Sequence, residues 1–231
     1  MSVRMDRVIW LWAHPRSRST AVLRMMLERG DVTVVHEPLA TLQDAGEVVV
    51  TDGAGGVTVL RSVPAVLAHV GALAADRPVF VTDTVEHRYG YLFDHPDEIA
   101  GARHTFIVRD PRSAIAALVA TEPDARCEDA GYEHQHELFE LAWSLSGTEP
   151  VVLDADRLVR DPEQVVSAYC AAVGLPFLPQ ALRWPAADRP EWHRVRPWPP
   201  RRPIGEDVHR KVRALDAHHR PFYDSMARNA L

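Results

Sequence analysis

Val8-Ile-Trp-Leu-Trp-Ala-His-Pro-Arg-Ser-Arg-Ser-Thr20 decides how this chain is built. Val8–Trp12 is an unbroken apolar run, too short for a helix and without alternation, which is the pattern of a strand covered on both faces. His14 to Arg18 make a sharp polar turn, and Ser19–Arg29 then carries a helical pattern with Ser19 or Arg18 near its cap. A strand, a tight turn and a helix start bring unpaired N–H groups and the positive end of a helix dipole together. Arg16, Ser17, Arg18, Ser19 and Thr20 lie at that point, a ready anion site.

Outward from this unit the pattern repeats. Val32–Val35, Pro78–Val81, Thr105–Val108 and Val151–Leu153 are short, β-branched or aromatic runs that predict further buried strands. Helical patterns are expected at Pro64–Ala74, Pro111–Ala120, Glu133–Leu145, Asp161–Val173 and 205–229. The Pro111 helix has proline at its favoured first position, and the Asp161 helix ends at Gly174. Strands alternating with helices predict an α/β fold, three layers with a central parallel sheet of about five strands, in one domain spanning residues 1–231. Two segments break the rhythm. Glu47–Leu60 has β-prone arms around a glycine-rich turn, a hairpin. Arg183–Pro203 is dense in Pro, Arg and Trp and is expected to be an irregular, functional loop.

Composition narrows the partners. The chain has 231 residues, 46% hydrophobic and 25% charged, with a formal net charge of −6. That excludes a global basic field, so neither nucleic acid nor an anionic membrane is an expected partner. Lys211 is the only lysine, so any anion pocket must be built from arginine, a bias that a genome rich in G and C also favours. Cys127 and Cys170 stand far apart and form no disulfide framework or Cys-x-x-Cys site, as in a reducing compartment. No apolar run reaches the ~18 residues of a membrane span, and the first residues lack a secretory h-region. A cytoplasmic protein is expected.

Two common phosphate sites do not fit. A Walker loop needs glycines and a lysine, and Ala13–Thr20 has neither; the dinucleotide pattern Gly-x-Gly-x-x-Gly is absent too. Instead, His14-Pro-Arg-Ser-Arg-Ser-Thr20 resembles the phosphosulfate loop of sulfotransferases that use 3′-phosphoadenosine-5′-phosphosulfate (PAPS). Many bacterial members read Pro-Arg-Ser-Gly-Thr/Ser-Thr there. Phe106-Ile-Val-Arg-Asp-Pro-Arg-Ser-Ala-Ile-Ala-Ala117 is similar to the family's 3′-phosphate element. Asp154-Ala-Asp-Arg-Leu-Val-Arg-Asp-Pro-Glu163, followed by Gly174-Leu-Pro-Phe177, resembles its Tyr-Glu-Asp-Leu-x-x-Asp-Pro-Glu…Gly-Leu-Pro segment. Arg201-Arg-Pro-Ile-Gly-Glu206 is similar to its C-terminal Arg-Lys-Gly-x-x-Gly-Asp loop. Four elements in the family's order cover most of the chain.

The resemblance implies a P-loop-like sulfotransferase topology, PAPS as co-substrate and a residue set. Backbone N–H groups of Arg16 to Thr20 would cradle the phosphosulfate, and Arg16 would stabilise charge on the leaving oxygen. Ser17, Arg18, Ser19 and Thr20 would belong to the donor site. Arg109 would pair with the 3′-phosphate, a planar fork suiting bidentate contact, and Arg201 or Arg202 would close its other side. Two departures stand out. Arg18 replaces a small residue, and Ala117 replaces a serine, so that either Ser113 or Ser144 compensates or 3′-phosphate affinity is reduced. An adenine-stacking aromatic could be Trp12, Trp192 or Trp198.

An acceptor hydroxyl needs a base within hydrogen-bond reach. Glu37 and His36, in His-Glu-Pro at the end of the second strand, and His87, in Thr82-Asp-Thr-Val-Glu-His87 after the third, are the candidates, with Glu37 favoured and one of them expected to act. His134/His136 and His218/His219 have spacings that do not share one helix face, so they are expected to face solvent and no catalytic metal is expected. The expected acceptor is a small molecule of secondary metabolism, its walls the hairpin Glu47–Leu60, the loop Glu122–Tyr132 and Arg183–Pro203. Homo- and hetero-oligomers both stay open. Arg18 and Ala117 also motivate a rival expectation, a sulfotransferase-like subunit without turnover of its own that serves another protein.

Overall fold

A computed structural model describes residues 5–51, 56–183 and 206–231. Strand β1 (Val8–Ala13) is buried at every position and forms the centre of the sheet. It pairs in parallel with β5 (Val79–Thr84) on one side and β6 (Arg103–Val108) on the other, with Trp10 opposite Val81 and His104. Strands β2 (Thr33–His36) and β7 (Val151–Asp154) complete the parallel order β2-β5-β1-β6-β7. The hairpin follows as β3 (Val48–Thr51) and β4 (Val57–Leu60), antiparallel, with Val48 opposite Leu60.

The pleat divides the core in two. Val8, Trp10 and Trp12 join Val79, Val81, Phe106 and Val108 on one face, where helices α3 (Val63–Leu73) and α6 (Tyr132–Ser146) contribute Val66, Leu67, Leu138 and Phe139. Ile9, Leu11 and Ala13 join Phe80, Ile107 and Leu153 on the other, under α1 (Ser19–Arg29) and α8 (Pro162–Val173) with Met25, Met26, Val166 and Tyr169. Two buried faces explain why these strands read as continuous apolar runs. Helix α5 (Pro111–Thr121) packs with the C-terminal helix α9 (Glu206–Ala227) around Ala114, Leu118, Tyr132 and Val212.

Caps behave as composition demands. Asp161 accepts from the Gln164 N–H to start α8, and Gly174 ends it in the left-handed region. Three short helices lie outside the expected pattern: α2 (Pro38–Ala45), α4 (Gly90–Asp94) and α7 (Ala155–Arg160). Each spans at most about two turns, too little for a periodic stripe. No helix among the described residues is long and apolar enough to cross a membrane.

The order of strands sets the site. The connection leaving β1 runs toward β2, and that leaving β6 runs toward β7. Adjacent strands with diverging connections open a crevice at their carboxyl ends, the usual ligand position in open α/β sheets.

Candidate functional site

The loops at that edge hold all the strained backbone among the described residues. Arg16 (φ 63°), Arg18 (φ 70°) and Glu37 (φ 45°) are the non-glycine residues with positive φ. The left-handed region costs such residues about 1–2 kcal/mol each, and such strain concentrates at functional sites. Arg18 is the residue that caps α1, in a conformation glycine adopts freely, which accounts for a small residue being usual there. Its side chain leaves the loop: Nη1 lies 2.8 Å from Asp156 Oδ1 and 3.3 Å from the Ala155 carbonyl oxygen, across on β7–α7. Crowding of the loop mouth by Arg18 is thereby avoided.

Helix α1 starts without a side-chain cap and without an acidic residue in its first turn. By contrast Ser62, Asp110, Asp154 and Asp161 cap α3, α5, α7 and α8. The Ala21 N–H donates to the Arg18 carbonyl at 3.0 Å, which leaves the first-turn N–H groups ahead of it, those of Ser19 and Thr20, to an anion. Ser17 is buried beside them, and its Oγ has no hydrogen-bond partner among the described residues.

Arg109 reaches this loop from the end of β6. Its Nη1 donates to the Arg16 carbonyl at 3.2 Å, while Nε is buried without a described partner. Burial, and then the neighbouring Arg18 charge, pull its guanidinium below its ordinary value. A second charge of opposite sign would relieve both. His14 fixes the backbone: Nδ1–H donates to the Pro15 carbonyl (2.9 Å) and Nε2 accepts from the Arg109 N–H (3.0 Å), which sets the tautomer. Full burial lowers its pKa to about 3. Tyr132 packs against His14 with ring centroids 4.0 Å apart and planes tilted by 30°, and its hydroxyl donates to the Arg109 carbonyl at 2.6 Å. Gln135 ties the two strand ends, Nε2 donating to the Trp12 and Ile107 carbonyls. Arg16 points toward the end of α5, Nη2 lying 2.6 Å from Thr121 Oγ1 and 3.3 Å from Glu122 Oε1.

The β2–β5 side of the crevice is rich in carboxylates. Glu37 sits at the end of β2, its N–H donating to the Thr82 carbonyl at 2.7 Å, and His36 Nε2 lies 3.9 Å from Glu37 Oε2. His87 lies three residues past β5 with Nε2 2.9 Å from Asp44 Oδ1. Glu86 is raised by burial first, opposed by His87, and raised further by Asp44, Glu37 and Glu122. Glu37, His87 and the Arg16–Glu122 pair therefore share one electrostatic neighbourhood.

Asp83 was not among the expected site residues. It is fully buried in β5, with Oδ2 accepting from the Leu39 N–H (2.8 Å) and Oδ1 from the Ala40 N–H (3.0 Å). It thus supplies from another strand the cap that Glu37 does not provide to α2. Burial pushes its carboxyl up to about 8 against the pull of those two donors. Its sequence signal was a lone carboxylate inside an apolar strand. That of His14 was its place beside Pro15 in the turn.

Other expected residues separate. Ser113 is exposed in the first turn of α5, with its N–H 3.1 Å from Asp110 Oδ1. Ser144 donates to the Leu141 carbonyl near the far end of α6, about 18 Å along the helix from Tyr132, so it does not replace the family's serine. Trp12 is buried, stacked on Trp10 at 4.9 Å and donating to His104 Nδ1, so it does not face a ligand. Arg201, Arg202, Trp192 and Trp198 lie outside the described residues. His219, expected at the surface, is buried, because α9 packs that side onto Tyr132.

The comparisons with known proteins agree with this geometry. A sulfotransferase domain model matches residues 7–191. Two structures share the fold. A sulfotransferase from Alicyclobacillus acidocaldarius has TM-score 0.59 at 13% identity, over 96% of each chain. The sulfotransferase domain of an olefin synthase from Synechococcus PCC 7002 has TM-score 0.54 at 16% identity, over 95% of this chain and 94% of that one. Branched-chain-amino-acid aminotransferase-like proteins 1 and 2 of Arabidopsis thaliana are each 27% identical over 83% of this chain, which spans 34% of their length. With the domain model covering both the loop after β1 and the Arg109 element, the chain belongs to the sulfotransferase family.

Proposed function

We propose that this chain transfers a sulfuryl group from PAPS to a hydroxyl or amine of a small molecule, in a reducing cytoplasm where Cys127 and Cys170 stay free. One observation carries the reading: the uncapped start of α1, the buried Ser17 Oγ and the buried Arg109 Nε are donors left to an anion at one crevice. The family likeness supports reading that anion as a nucleotide phosphosulfate.

The N–H groups from Arg16 to Thr20 hold the 5′-phosphosulfate, and Arg109 holds the 3′-phosphate. The donor supplies the sulfuryl group and leaves as adenosine 3′,5′-bisphosphate. Arg16 neutralises charge on the leaving phosphate, the main protein contribution to transfer of an anionic group. Glu37 takes the acceptor proton. Its strained backbone, pinned by the Thr82 carbonyl and by Asp83 under α2, holds the carboxylate at the strand end beside His36.

A second reading, a partner subunit without turnover, is favoured by the engagement of Arg16 with Glu122. Calorimetry with adenosine 3′,5′-bisphosphate and donor-dependent product formation over hydroxyl and amine acceptors decide between them. Binding with product supports transfer, and binding without product supports the partner reading. Neither binding nor product overturns both.

A further inference from the structure

Cys127, His218 and His219 meet beside Tyr132, whose ring also contacts His14 of the loop after β1. Cys127 lies in the segment between α5 and α6, and the histidines are neighbours on α9. One ligand-capable atom from each lies within 4.8 Å of the others. His219 is 1% exposed. Its Nε2 is 3.5 Å from Cys127 Sγ and 3.0 Å from the Cys127 carbonyl oxygen, and its Nδ1 is buried with no hydrogen-bond partner among the described residues. His218 is half-exposed, its ring perpendicular to that of His219 at 4.8 Å, with Nε2 3.8 Å from Glu133 Oε2.

Neither neutral tautomer of His219 satisfies both nitrogens. With the proton on Nε2, the Cys127 carbonyl is served and Nδ1 keeps a desolvated lone pair. With the proton on Nδ1, a buried donor is left without an acceptor and Nε2 faces a carbonyl lone pair. An unsatisfied buried polar atom costs about 1–3 kcal/mol. A metal on Nε2 would take the lone pair that faces the Cys127 carbonyl in the second tautomer, leaving the Nδ1 proton as the single unsatisfied group of the ring.

We propose that Cys127, His218 and His219 form a structural zinc site, with Glu133, whose Oε2 lies 3.8 Å from His218 Nε2, as the carboxylate for the fourth position. One thiolate, two imidazoles and a carboxylate are a donor set that zinc takes in tetrahedral geometry. Zn–S of about 2.3 Å and Zn–N of about 2.0 Å place ligand atoms roughly 3.3–3.7 Å apart. The Sγ–Nε2 separation is already in that range, and half-exposed His218 has room to turn inward. Binding forms Zn–S and Zn–N bonds and releases the Cys127 thiol proton to solvent. Because the thiol proton must leave, affinity rises with pH. The site clips α9 to the segment after α5. Its three residues differ from those proposed to hold the donor or to take the acceptor proton.

The test uses the full chain, tag-free and chelator-treated, without nucleotide, titrated with cobalt(II) and then zinc(II). The wild type is expected to take up a single equivalent, to show a thiolate-to-cobalt charge-transfer band, and to lose it as zinc displaces cobalt. Cys127→Ser removes the band, and Cys127→Ser and His218→Ala each weaken zinc binding by at least about tenfold. His218→Ala touches a half-exposed ring and leaves the metal-free melting temperature unchanged. Absence of the band in the wild type, or wild-type zinc affinity in either variant, overturns the proposal. Because no donor or acceptor is present, the result is independent of sulfotransferase activity.

Discussion

His14 Nε2 accepts the backbone N–H of Arg109 at 3.0 Å, joining two loops 95 residues apart in sequence. The bond requires a neutral imidazole, and burial provides one by lowering its pKa to about 3. His104 is held alike, lowered to about 4 by burial while Nδ1 accepts from Trp12 Nε1.

This pairing makes stability depend on pH. Both folded pKa values lie below the unfolded value of about 6.5, so the unfolded chain binds more protons below that pH. Their contribution is complete above pH ~6.5 and is lost as pH falls toward ~4 for His104 and ~3 for His14, each at up to about 1.4 kcal/mol per pH unit. Asp83, with its carboxyl raised to about 8, contributes in the opposite sense over the same range, so the His14 contribution is read as a difference: in denaturant unfolding from pH 7 to 4.5, His14→Gln is expected to lose stability less steeply than the wild type, by up to about 1.4 kcal/mol per pH unit. An unchanged slope in His14→Gln would refute the assignment.

Arg16 and Arg109 should fail differently. Removing a donor that acts on charge developing in the transition state typically costs about 10²–10³ in kcat, the expectation for Arg16→Ala. Arg109→Ala should instead weaken adenosine 3′,5′-bisphosphate binding by about 10–100-fold, the worth of a charged hydrogen bond, with a smaller effect on kcat. Steady-state kinetics and calorimetry separate the two; normal turnover in Arg16→Ala rejects its role.

Arg18 tests backbone strain. Arg18→Ala and Arg18→Gly both lose the Asp156 ion pair, but only glycine relieves the left-handed conformation. The glycine variant should be the more stable by about 1 kcal/mol, read from paired denaturant curves.

Gly131 sits under the loop with φ +76°, where a Cβ would come within 3.0 Å of Pro15 Cδ and 3.1 Å of the Val85 carbonyl oxygen. Gly147 shares the left-handed conformation, φ +69°, with nothing within 4 Å. Gly131→Ala should therefore destabilise more than Gly147→Ala, by roughly 1–3 kcal/mol of overpacking, and should also lower activity. Equal melting temperatures would contradict the close approach.

Much of this architecture is legible along the chain. β1, the helix after it, the Asp161 cap and the Gly174 stop are local patterns of burial period and backbone preference, read over a few residues. The order of the anion-binding segments is equally linear, which is why Arg16 and Arg109 could be named together. Short α2, α4 and α7 were not legible, being too brief for a period to show.

The polar partnerships belong to another category. Asp83 caps α2 from a strand more than 40 residues away, Arg18 turns to Asp156, and Cys127 meets His219, each across elements that the order β2-β5-β1-β6-β7 and the packing of α9 bring together. A sequence specifies through its local periods which faces are buried and where helices begin. Which charged or titratable side chains then oppose one another depends on chain reversals and strand neighbours, and these follow from packing of the whole core rather than from any local window.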